Sequence, residues 1–377
     1  MSNAKPTAVY MDHNATSPTR PEAVDAATHA MQAGGNPSSV HALGRAARRI
    51  VEDAREQVRA AVNAPASAQV VFTSCGTEAN TLALQGCGRS KMFVAATDHP
   101  SVMQAHAHAE RIAVDVNGLI DPFTLEEMFA GGGDDVVVSV MLANNETGVL
   151  QQIEGIARIA HRYHALVHCD AVQALGKVDV DFQSLGVDML SLSAHKIAGP
   201  LGVGALIAGK DVTLRAINAG GGQEGGLRGG TENVPGIAGF GVAAELAKAE
   251  LVDMARIKGL RDALEARIQE IAPEAQVIAA MADRLPNTSY ITMPGVDATT
   301  QLMAFDLAGI CVSAGSACAS GKTKTSPVLA AMGVHPEIGK CAVRVSLGHA
   351  STGDDIDCFI SAWADLYQRK SASKSAA

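Results

Sequence analysis

Residues 136–169 read VVVSVMLANNETGVLQQIEGIARIAHRYHALVHC, and this stretch decides the fold class. The apolar run Val136–Ala143, broken only by Ser139, is typical of a strand that is buried on both faces. Ile153–His164 repeats apolar residues with the period of a helix, and Leu166–Cys169 is a second short apolar run. A strand, a helix and a strand in this order indicate an α/β protein.

The same alternation continues on both sides of this stretch. Further strands are predicted at Gln69–Thr73, Met92–Ala96, Met189–Ser193 and Val203–Ala208, and further helices at Ala42–Val62, Thr77–Gln85 and Ser101–Glu110. Such alternation predicts a parallel sheet covered on both faces by helices.

The rhythm changes after one long predicted helix, Val234–Ile271. Beyond it we predict strands near Asn287–Met293 and Ala342–Ser346 and helices near Thr299–Leu307 and Asp354–Tyr367, the last with Thr352 as N-cap and Asp355 three residues on. We therefore expect a second, C-terminal unit of different architecture.

Composition excludes several classes of protein. The 377 residues are 47% hydrophobic and carry a formal charge of −9, so the chain lacks the basic footprint of a general nucleic-acid binder. No apolar run is long enough to span a membrane, and no apolar segment near the N-terminus resembles a signal peptide. The seven cysteines are scattered without a CxxC pair, which favours a reducing cytoplasm and no metal site.

Polar side chains follow the predicted strands at the edge where open α/β sheets bind their ligands. Asp170 ends one apolar run, and Lys196 follows another together with His195. An amine that forms a Schiff base and a carboxylate that holds a pyridinium nitrogen are the minimum protein equipment for pyridoxal phosphate. Taken alone, Lys196 is more simply interpreted as a surface lysine in a turn and Asp170 as a helix cap; the pair makes a cofactor site as good an interpretation.

Three further loops follow predicted strands. Ser74-Cys-Gly-Thr-Glu78 precedes a helix, so its N–H groups and the Thr77 hydroxyl could bind an anion, or Thr77 could simply cap the helix. His99 could lie on the face of a cofactor ring, or belong to a polar surface. Asn144-Asn-Glu146 follows the next strand in the same manner.

Eight motifs in order along the chain carry a family resemblance. They are Gly35-Asn-Pro-Ser-Ser39 with His41, Thr73-Ser-Cys-Gly-Thr-Glu78, Asp98-His-Pro100, Ala143-Asn-Asn-Glu-Thr-Gly148, Asp170-Ala-Val-Gln173, Ser193-Ala-His-Lys196, Arg228-Gly-Gly-Thr-Glu-Asn233 and Ser313-Ala-Gly-Ser-Ala-Cys318. From Tyr10 to Gly348 the chain closely resembles the cysteine desulfurases of the NifS/IscS type, which are class V, fold type I pyridoxal-phosphate enzymes.

The resemblance implies a domain organisation. Residues 1–255 would form a large cofactor-binding domain on a mainly parallel seven-stranded sheet, with the first 15 or so residues packed against the smaller domain. Residues 256–370 would form a smaller α+β domain that carries a cysteine loop. The polar tail, residues 371–377, is predicted to be disordered.

The resemblance also implies roles for matching residues. Lys196 would form the Schiff base with pyridoxal 5'-phosphate, Asp170 would bind the pyridine nitrogen, and His99 would stack on the ring and help to move protons. The remaining predicted contacts are Asn145 and Gln173 to the ring hydroxyl, Gly76, Thr77, Ser193 and His195 to the phosphate, Thr231 to the phosphate from the other subunit of a homodimer, and Arg344 with Asn145 to the substrate. A guanidinium binds a carboxylate in a bidentate manner, which suits Arg344 to the substrate carboxylate.

Cys318 differs from the other six cysteines, which lie in or beside apolar runs and are predicted to be small buried hydrophobes. It lies among small residues, near Lys322 and Lys324, a setting that favours thiolate and a flexible segment. The length of this segment resembles that of the family branch that delivers sulfur directly to scaffold proteins.

We therefore expect a cytoplasmic, homodimeric L-cysteine desulfurase that releases L-alanine and leaves a persulfide on Cys318, for transfer to a protein acceptor in iron–sulfur cluster assembly or thiolation. Membrane and nucleic acid are not expected as partners. The alternatives are another class V enzyme, such as a selenocysteine lyase or an aminotransferase for small amino acids, and a catalytically inactive homologue that serves only as a docking partner.

Overall fold

The computed structural model describes residues 8–106, 108–315 and 326–375. The strands are β1 Val9–Tyr10, β2 Gln69–Thr73, β3 Lys91–Ala95, β4 Glu110–Ile112, β5 Val136–Met141, β6 Leu166–Asp170, β7 Met189–Ser193, β8 Gly204–Ala208, β9 Thr288–Thr292, β10 Ile310–Cys311, β11 Ser313–Ala314 and β12 Ala342–Ser346. The α-helices are α1 Pro21–Ala33, α2 Ala42–Ala61, α3 Gly76–Gly86, α4 Pro100–Met103, α5 Pro122–Met128, α6 Ile153–Arg162, α7 Phe182–Leu185, α8 Val234–Ala249, α9 Met254–Ile271, α10 Ala298–Leu307, α11 Pro327–Ala331, α12 Pro336–Gly339 and α13 Gly353–Ser375.

The central sheet has seven strands in the order β2-β8-β7-β6-β5-β3-β4. Strands β4, β3, β5, β6 and β7 pair in parallel, and only β8 runs against its neighbours β7 and β2. The predicted seven-stranded, mainly parallel sheet is thus confirmed. Because only β8 is reversed, the carboxyl ends of the other strands meet at one edge.

The middle of this sheet is apolar on both faces. Every residue of β5 is buried, as expected for a parallel strand between two helical layers. Its one polar residue, Ser139, is satisfied inside the sheet, because its hydroxyl lies 2.8 Å from Nδ1 of His168 in β6. Nε2 of the same ring lies 2.8 Å from the hydroxyl of Ser191 in β7. A buried polar ladder therefore joins three neighbouring strands.

The C-terminal part contains a three-stranded antiparallel sheet, β11-β12-β9, next to a separate apolar cluster. That cluster includes Met11, and β1 pairs in parallel with β10, so the first described residues pack against the C-terminal part. The predicted N-cap of α13 is confirmed: Thr352 Oγ1 accepts a hydrogen bond from Asp355 N at 3.4 Å, and the Asp355 carboxylate accepts from Thr352 N at 2.8 Å. The division into domains 1–255 and 256–370 stays a prediction.

Two sequence-based predictions of secondary structure were wrong. Residues 101–110 do not form one helix: α4 ends at Met103, and Glu110–Ile112 adds an edge strand to β3. Pairing with the sheet outweighs the helix propensity of this short segment. The predicted helix Val234–Ile271 is two helices, α8 and α9, separated by the 3-10 turn Glu250–Asp253.

Helix α13 runs to Ser375. The predicted disorder of the tail, residues 371–377, stays a prediction.

Candidate active site

A cavity opens at the edge where the carboxyl ends of the parallel strands meet. Nine of the residues predicted for the site line this one cavity: Gly76, Thr77, His99, Asn145, Asp170, Gln173, Ser193, His195 and Lys196. They lie at or just after the ends of four strands, β3, β5, β6 and β7, and in the first turn of α3. Sheet topology therefore converts positions spread over 120 residues of sequence into one lined surface.

Lys196 lies just after β7, in the 3-10 turn Ala194–Ile197. Its Nζ donates to the backbone carbonyls of Asn14 and Ala15, at 2.7 and 2.8 Å. Both acceptors belong to the N-terminal segment that precedes α1. The amine is thus held at the cavity wall by groups that only accept hydrogen bonds.

Asp170 is the last residue of β6 and is buried. Its Oδ2 accepts a hydrogen bond from Nδ2 of Asn80 at 2.8 Å, and its Oδ1 accepts from the backbone N–H of Val172 at 3.0 Å. Two donors therefore orient the carboxylate while it still lines the cavity. A buried carboxylate held in this way is suited to pair with a cationic ring nitrogen.

His99 is held by the first residues of α4. Its Nδ1 accepts from the backbone N–H of Ser101 at 3.1 Å and lies 2.8 Å from the Ser101 hydroxyl. A backbone N–H can only donate, so Nδ1 of the neutral ring carries the lone pair and Nε2 carries the proton. Burial lowers the pKa of His99; the Asp170 carboxylate opposes this and the Lys196 amine adds to it.

Asp98 ties the His99 loop to the sheet. Its two carboxylate oxygens accept from the backbone N–H groups of Ala95 in β3, at 3.0 Å, and Met141 in β5, at 2.8 Å. Burial raises the pKa of Asp98 well above its ordinary value, and the nearby Asp170 carboxylate raises it further. Asp98 is therefore a structural link between the loop and the sheet, whereas the next residue, His99, lines the cavity.

The anion cradle is built at the N-terminus of α3. Among the described residues, the hydroxyl of Ser193 is buried and has no hydrogen-bond partner. Gly76 packs tightly beside it, because a Cβ there would lie 2.8 Å from Cγ2 of Val172 and 3.4 Å from Cβ of Ser193. An unsatisfied hydroxyl next to the free N–H groups of a helix start fits a phosphate.

His195 belongs to the same side of the cavity. Its Nδ1 lies 3.1 Å from the hydroxyl of Thr16. Burial lowers the pKa of His195 to about 4, and the amines of Lys196 and Lys177 contribute. The ring is therefore neutral at physiological pH and would act as a hydrogen-bonding group rather than as a cation.

Comparison with known proteins agrees with this geometry. Residues 9–359 match the model of the family described as aminotransferase class-V. The chain belongs to this family. Its relatives include a cysteine desulfurase of Cereibacter sphaeroides, 43% identical over 93% of both chains, and the cysteine desulfurase IscS of Dictyoglomus turgidum, 36% identical over 93% of this chain and 92% of the relative.

A solved structure gives the same result. The X-ray structure of a NifS-like protein from Rickettsia africae matches with a TM-score of 0.89 and 37% identity, and covers 96% of this chain and 99% of that chain. The resemblance on which the sequence analysis relied is thereby confirmed, as is the fold class.

Two residues predicted for the site of this class-V protein do not line the cavity. Arg344, in β12, is buried and donates to the Asn145 carbonyl at 2.9 Å and to Oδ1 of Asp12 at 2.7 Å. Arg344 is therefore connected to the cavity only by its hydrogen bond to the backbone of Asn145, which lines it. Thr231 is exposed and lies apart from the cavity of its own chain.

Cys318 lies outside the described residues, in the gap 316–325. The other six cysteines are not uniformly buried as predicted: Cys87, Cys169 and Cys341 are, Cys75 and Cys311 are half-buried, and Cys358 is exposed. Cys358 faces solvent because it lies on the outer side of α13, and Cys75 lines the cavity at the N-cap of α3.

Sequence reasoning missed Asn80 and Asn14. Asn80 follows Gly76 by four residues, so the two share a helix face, and that spacing was a usable signal. Asn80 Nδ2 donates both to Asp170 and to the Ser101 hydroxyl, at 2.8 and 2.9 Å. Asn14 lies 182 residues from Lys196, and no spacing in the sequence predicts that its carbonyl holds that lysine.

Proposed function

We propose that this protein is a pyridoxal-phosphate-dependent L-cysteine desulfurase that leaves L-alanine and carries the removed sulfur as a persulfide on Cys318. The observation that supports it most directly is that Lys196 and Asp170 line one cavity, with an anion cradle at Gly76 and Ser193 in the same wall. The names of the relatives support the choice of reaction.

The residues present fit the cofactor. Among the described residues the buried hydroxyl of Ser193 lacks a hydrogen-bond partner, which a phosphate oxygen would supply, and Gly76 beside it packs too closely against Val172 to carry a side chain. The Asp170 carboxylate, oriented by Asn80, would hold the protonated pyridine nitrogen. Once bound, pyridoxal phosphate withdraws electrons from the Cα of the amino acid attached to it.

The remaining work falls to side chains of this chain. Lys196 Nζ is held by two carbonyl oxygens and would take the proton from the substrate Cα. His99 is neutral with its proton on Nε2, so it would lie against the ring without competing for the charge of Asp170. Arg344 and the neighbouring Asn145 would bind the substrate carboxylate, because a guanidinium pairs with a carboxylate through two hydrogen bonds.

Sulfur removal requires a nucleophile other than Lys196. In the proposed step the Cys318 thiolate attacks the substrate sulfur: an S–S bond forms, the substrate's Cβ–S bond breaks, and Cβ takes a proton to give alanine. The persulfide then passes to a thiol of an acceptor protein, for iron–sulfur cluster assembly or thiolation.

The protein is proposed to act as a homodimer in the cytoplasm. Thr231 is exposed and lies away from its own cavity, which is consistent with a contribution to the phosphate site of a partner subunit. Within residues 8–106, 108–315 and 326–375, the helices are all too short or too polar to cross a bilayer.

The test is anaerobic incubation of the cofactor-loaded protein with L-cysteine and an excess of a dithiol, which reduces the persulfide and releases its outer sulfur as sulfide, with alanine and sulfide quantified together. Equal amounts of both are expected from the wild type. Cys318→Ser should keep the yellow colour of the bound cofactor and lose sulfide release, and Lys196→Ala should lose both. Sulfide release by the serine variant would refute the persulfide route, and alanine without sulfide would favour another class V reaction. A colourless purified protein would favour a docking partner.

A further inference from the structure

Lys177 is a buried lysine that none of the steps above uses. It lies in the turn after β6 and is 7% exposed. The preceding Gly176 has a φ of +75°, and a Cβ on it would lie 2.9 Å from Cβ of Ala247, so both the conformation and the close packing favour glycine. The backbone here is thus built to bring a lysine side chain into the interior.

The ammonium of Lys177 lies between two amide oxygens. Its Nζ donates to Oε1 of Gln173 at 2.7 Å and to Oδ1 of Asn14 at 2.9 Å. Among the described residues no carboxylate lies within ion-pair distance of it, and the charged and titratable groups that face it are Lys196, Arg344, His13 and His195. A lysine without an acidic partner is costly to bury, so its two contacts need an explanation.

Gln173 is held at both ends. Its Nε2 donates to the Asn14 carbonyl at 2.8 Å, and its Oε1 accepts from Lys177. A carbonyl oxygen can only accept, so the amide has one orientation, with nitrogen toward Asn14 and oxygen toward Lys177. One N–H is used by Asn14, and the second is left for a group in the cavity that Gln173 lines.

The same Asn14 carbonyl also accepts from Lys196 Nζ at 2.7 Å. The nitrogen atoms of Gln173 and Lys196 are therefore neighbours around one oxygen. In pyridoxal phosphate the ring hydroxyl and the aldehyde, which reacts with a lysine amine, are attached to adjacent ring carbons. A donor beside Lys196 thus lies on the side of that oxygen.

We infer that Lys177 is a positioning residue that acts through Gln173, locking its amide so that an N–H faces the ring oxygen of the cofactor. This inference rests on the proposed cofactor. Without Lys177, Oε1 of Gln173 would be buried without a donor, and the amide would lose one of the two contacts that fix its position. A donor at the ring oxygen favours the form of the cofactor in which that oxygen carries no proton, which absorbs at the longer wavelength.

The test uses the cofactor-loaded protein without substrate. For Lys177→Met we expect a lower ratio of the long-wavelength to the short-wavelength absorption band, and an affinity for pyridoxal phosphate weaker by about tenfold, the equivalent of one buried unpaired acceptor. Lys177→Gln keeps an N–H donor and should restore part of the ratio. Lys248→Met, at an exposed lysine of α8 that donates to the Ala60 carbonyl, is the matched control and should change neither quantity.

A double variant separates positioning from general destabilisation. If Lys177 acts through Gln173, then Lys177→Met adds no spectral change to Gln173→Met. Additive changes, or a wild-type spectrum in a folded Lys177→Met protein, would overturn the inference and leave the proposed function standing. Wild-type protein that binds no pyridoxal phosphate would overturn both.

Discussion

Nδ2 of Asn80 lies 2.8 Å from Oδ2 of Asp170 and 2.9 Å from the hydroxyl of Ser101, which in turn contacts His99. One amide on the first turns of α3 therefore orients two groups that arrive from β3 and β6. The carboxylate expected to hold the cofactor nitrogen and the imidazole expected to cover its ring share a single support.

Asn80→Ala should weaken the binding of pyridoxal phosphate by roughly 10- to 100-fold, because a hydrogen bond to a buried charged group contributes about 1.5–3 kcal/mol. Equilibrium dialysis of the purified protein measures this directly. Gln85→Ala removes an amide from the same helix that donates to the Ala105 carbonyl, away from the cavity, and serves as the control. Equal affinities for the two variants would contradict a supporting role for Asn80.

Ser193→Ala should separate the stability of the apoprotein from its affinity for the cofactor. The Ser193 hydroxyl is buried without a partner among the described residues, so its removal should leave the thermal midpoint of the apoprotein unchanged or slightly raised. Affinity for pyridoxal phosphate should fall by about tenfold, the loss of one hydrogen bond to a phosphate. A large drop in the midpoint with unchanged affinity would show that the hydroxyl is structural.

Gly76→Ala should distort the anion cradle, because the new methyl group would lie 2.8 Å from Cγ2 of Val172. Val172 is β-branched and stiff, so the overlap should cost about 1–3 kcal/mol and reduce cofactor affinity. The double variant Gly76→Ala/Val172→Ala creates room for the methyl group. Its affinity should recover toward that of Val172→Ala alone, and no recovery would mean that the methyl group blocks the phosphate itself.

His168 should make the free energy of unfolding depend on pH. Burial inside the sheet lowers the pKa of His168 to about 4, while in the unfolded chain it returns to about 6.5. Between these values the unfolded state binds more protons, so stability falls as pH decreases through this window, by on the order of 2–3 kcal/mol for a fully buried ring. Urea unfolding at pH 7.5 and pH 5 measures the difference.

His168→Gln is the matched variant for that measurement. It lowers stability at both pH values because the contacts with Ser139 and Ser191 change, but it removes the proton linkage. The difference between the two pH values should therefore shrink relative to wild type. An unchanged difference would assign the pH dependence to His13 and His195, whose pKa values are also lowered to about 4.

Much of the site was predictable because its residues are tied to strand ends. Asp170 and Lys196 each end or follow an apolar run, and in a parallel sheet such positions must meet at one edge. Gly76 and Thr77 begin a helix that was visible from its pattern. Pattern reasoning failed at residues 101–112, where pairing with β3 decided the structure of a short, ambiguous segment.

By itself, the sequence determined the alternation of strands and helices, the family, and which residue types stand at the strand ends, because these depend on local order along the chain. Only the tertiary structure decided that Asn14, Asn80 and Lys177 support the predicted residues. Asn14 is 159 residues from Gln173 and 163 from Lys177, and such contacts depend on how the N-terminal segment packs on the folded sheet. Hydrogen bonds of that kind leave no period or spacing in the sequence, since they are set by packing in three dimensions.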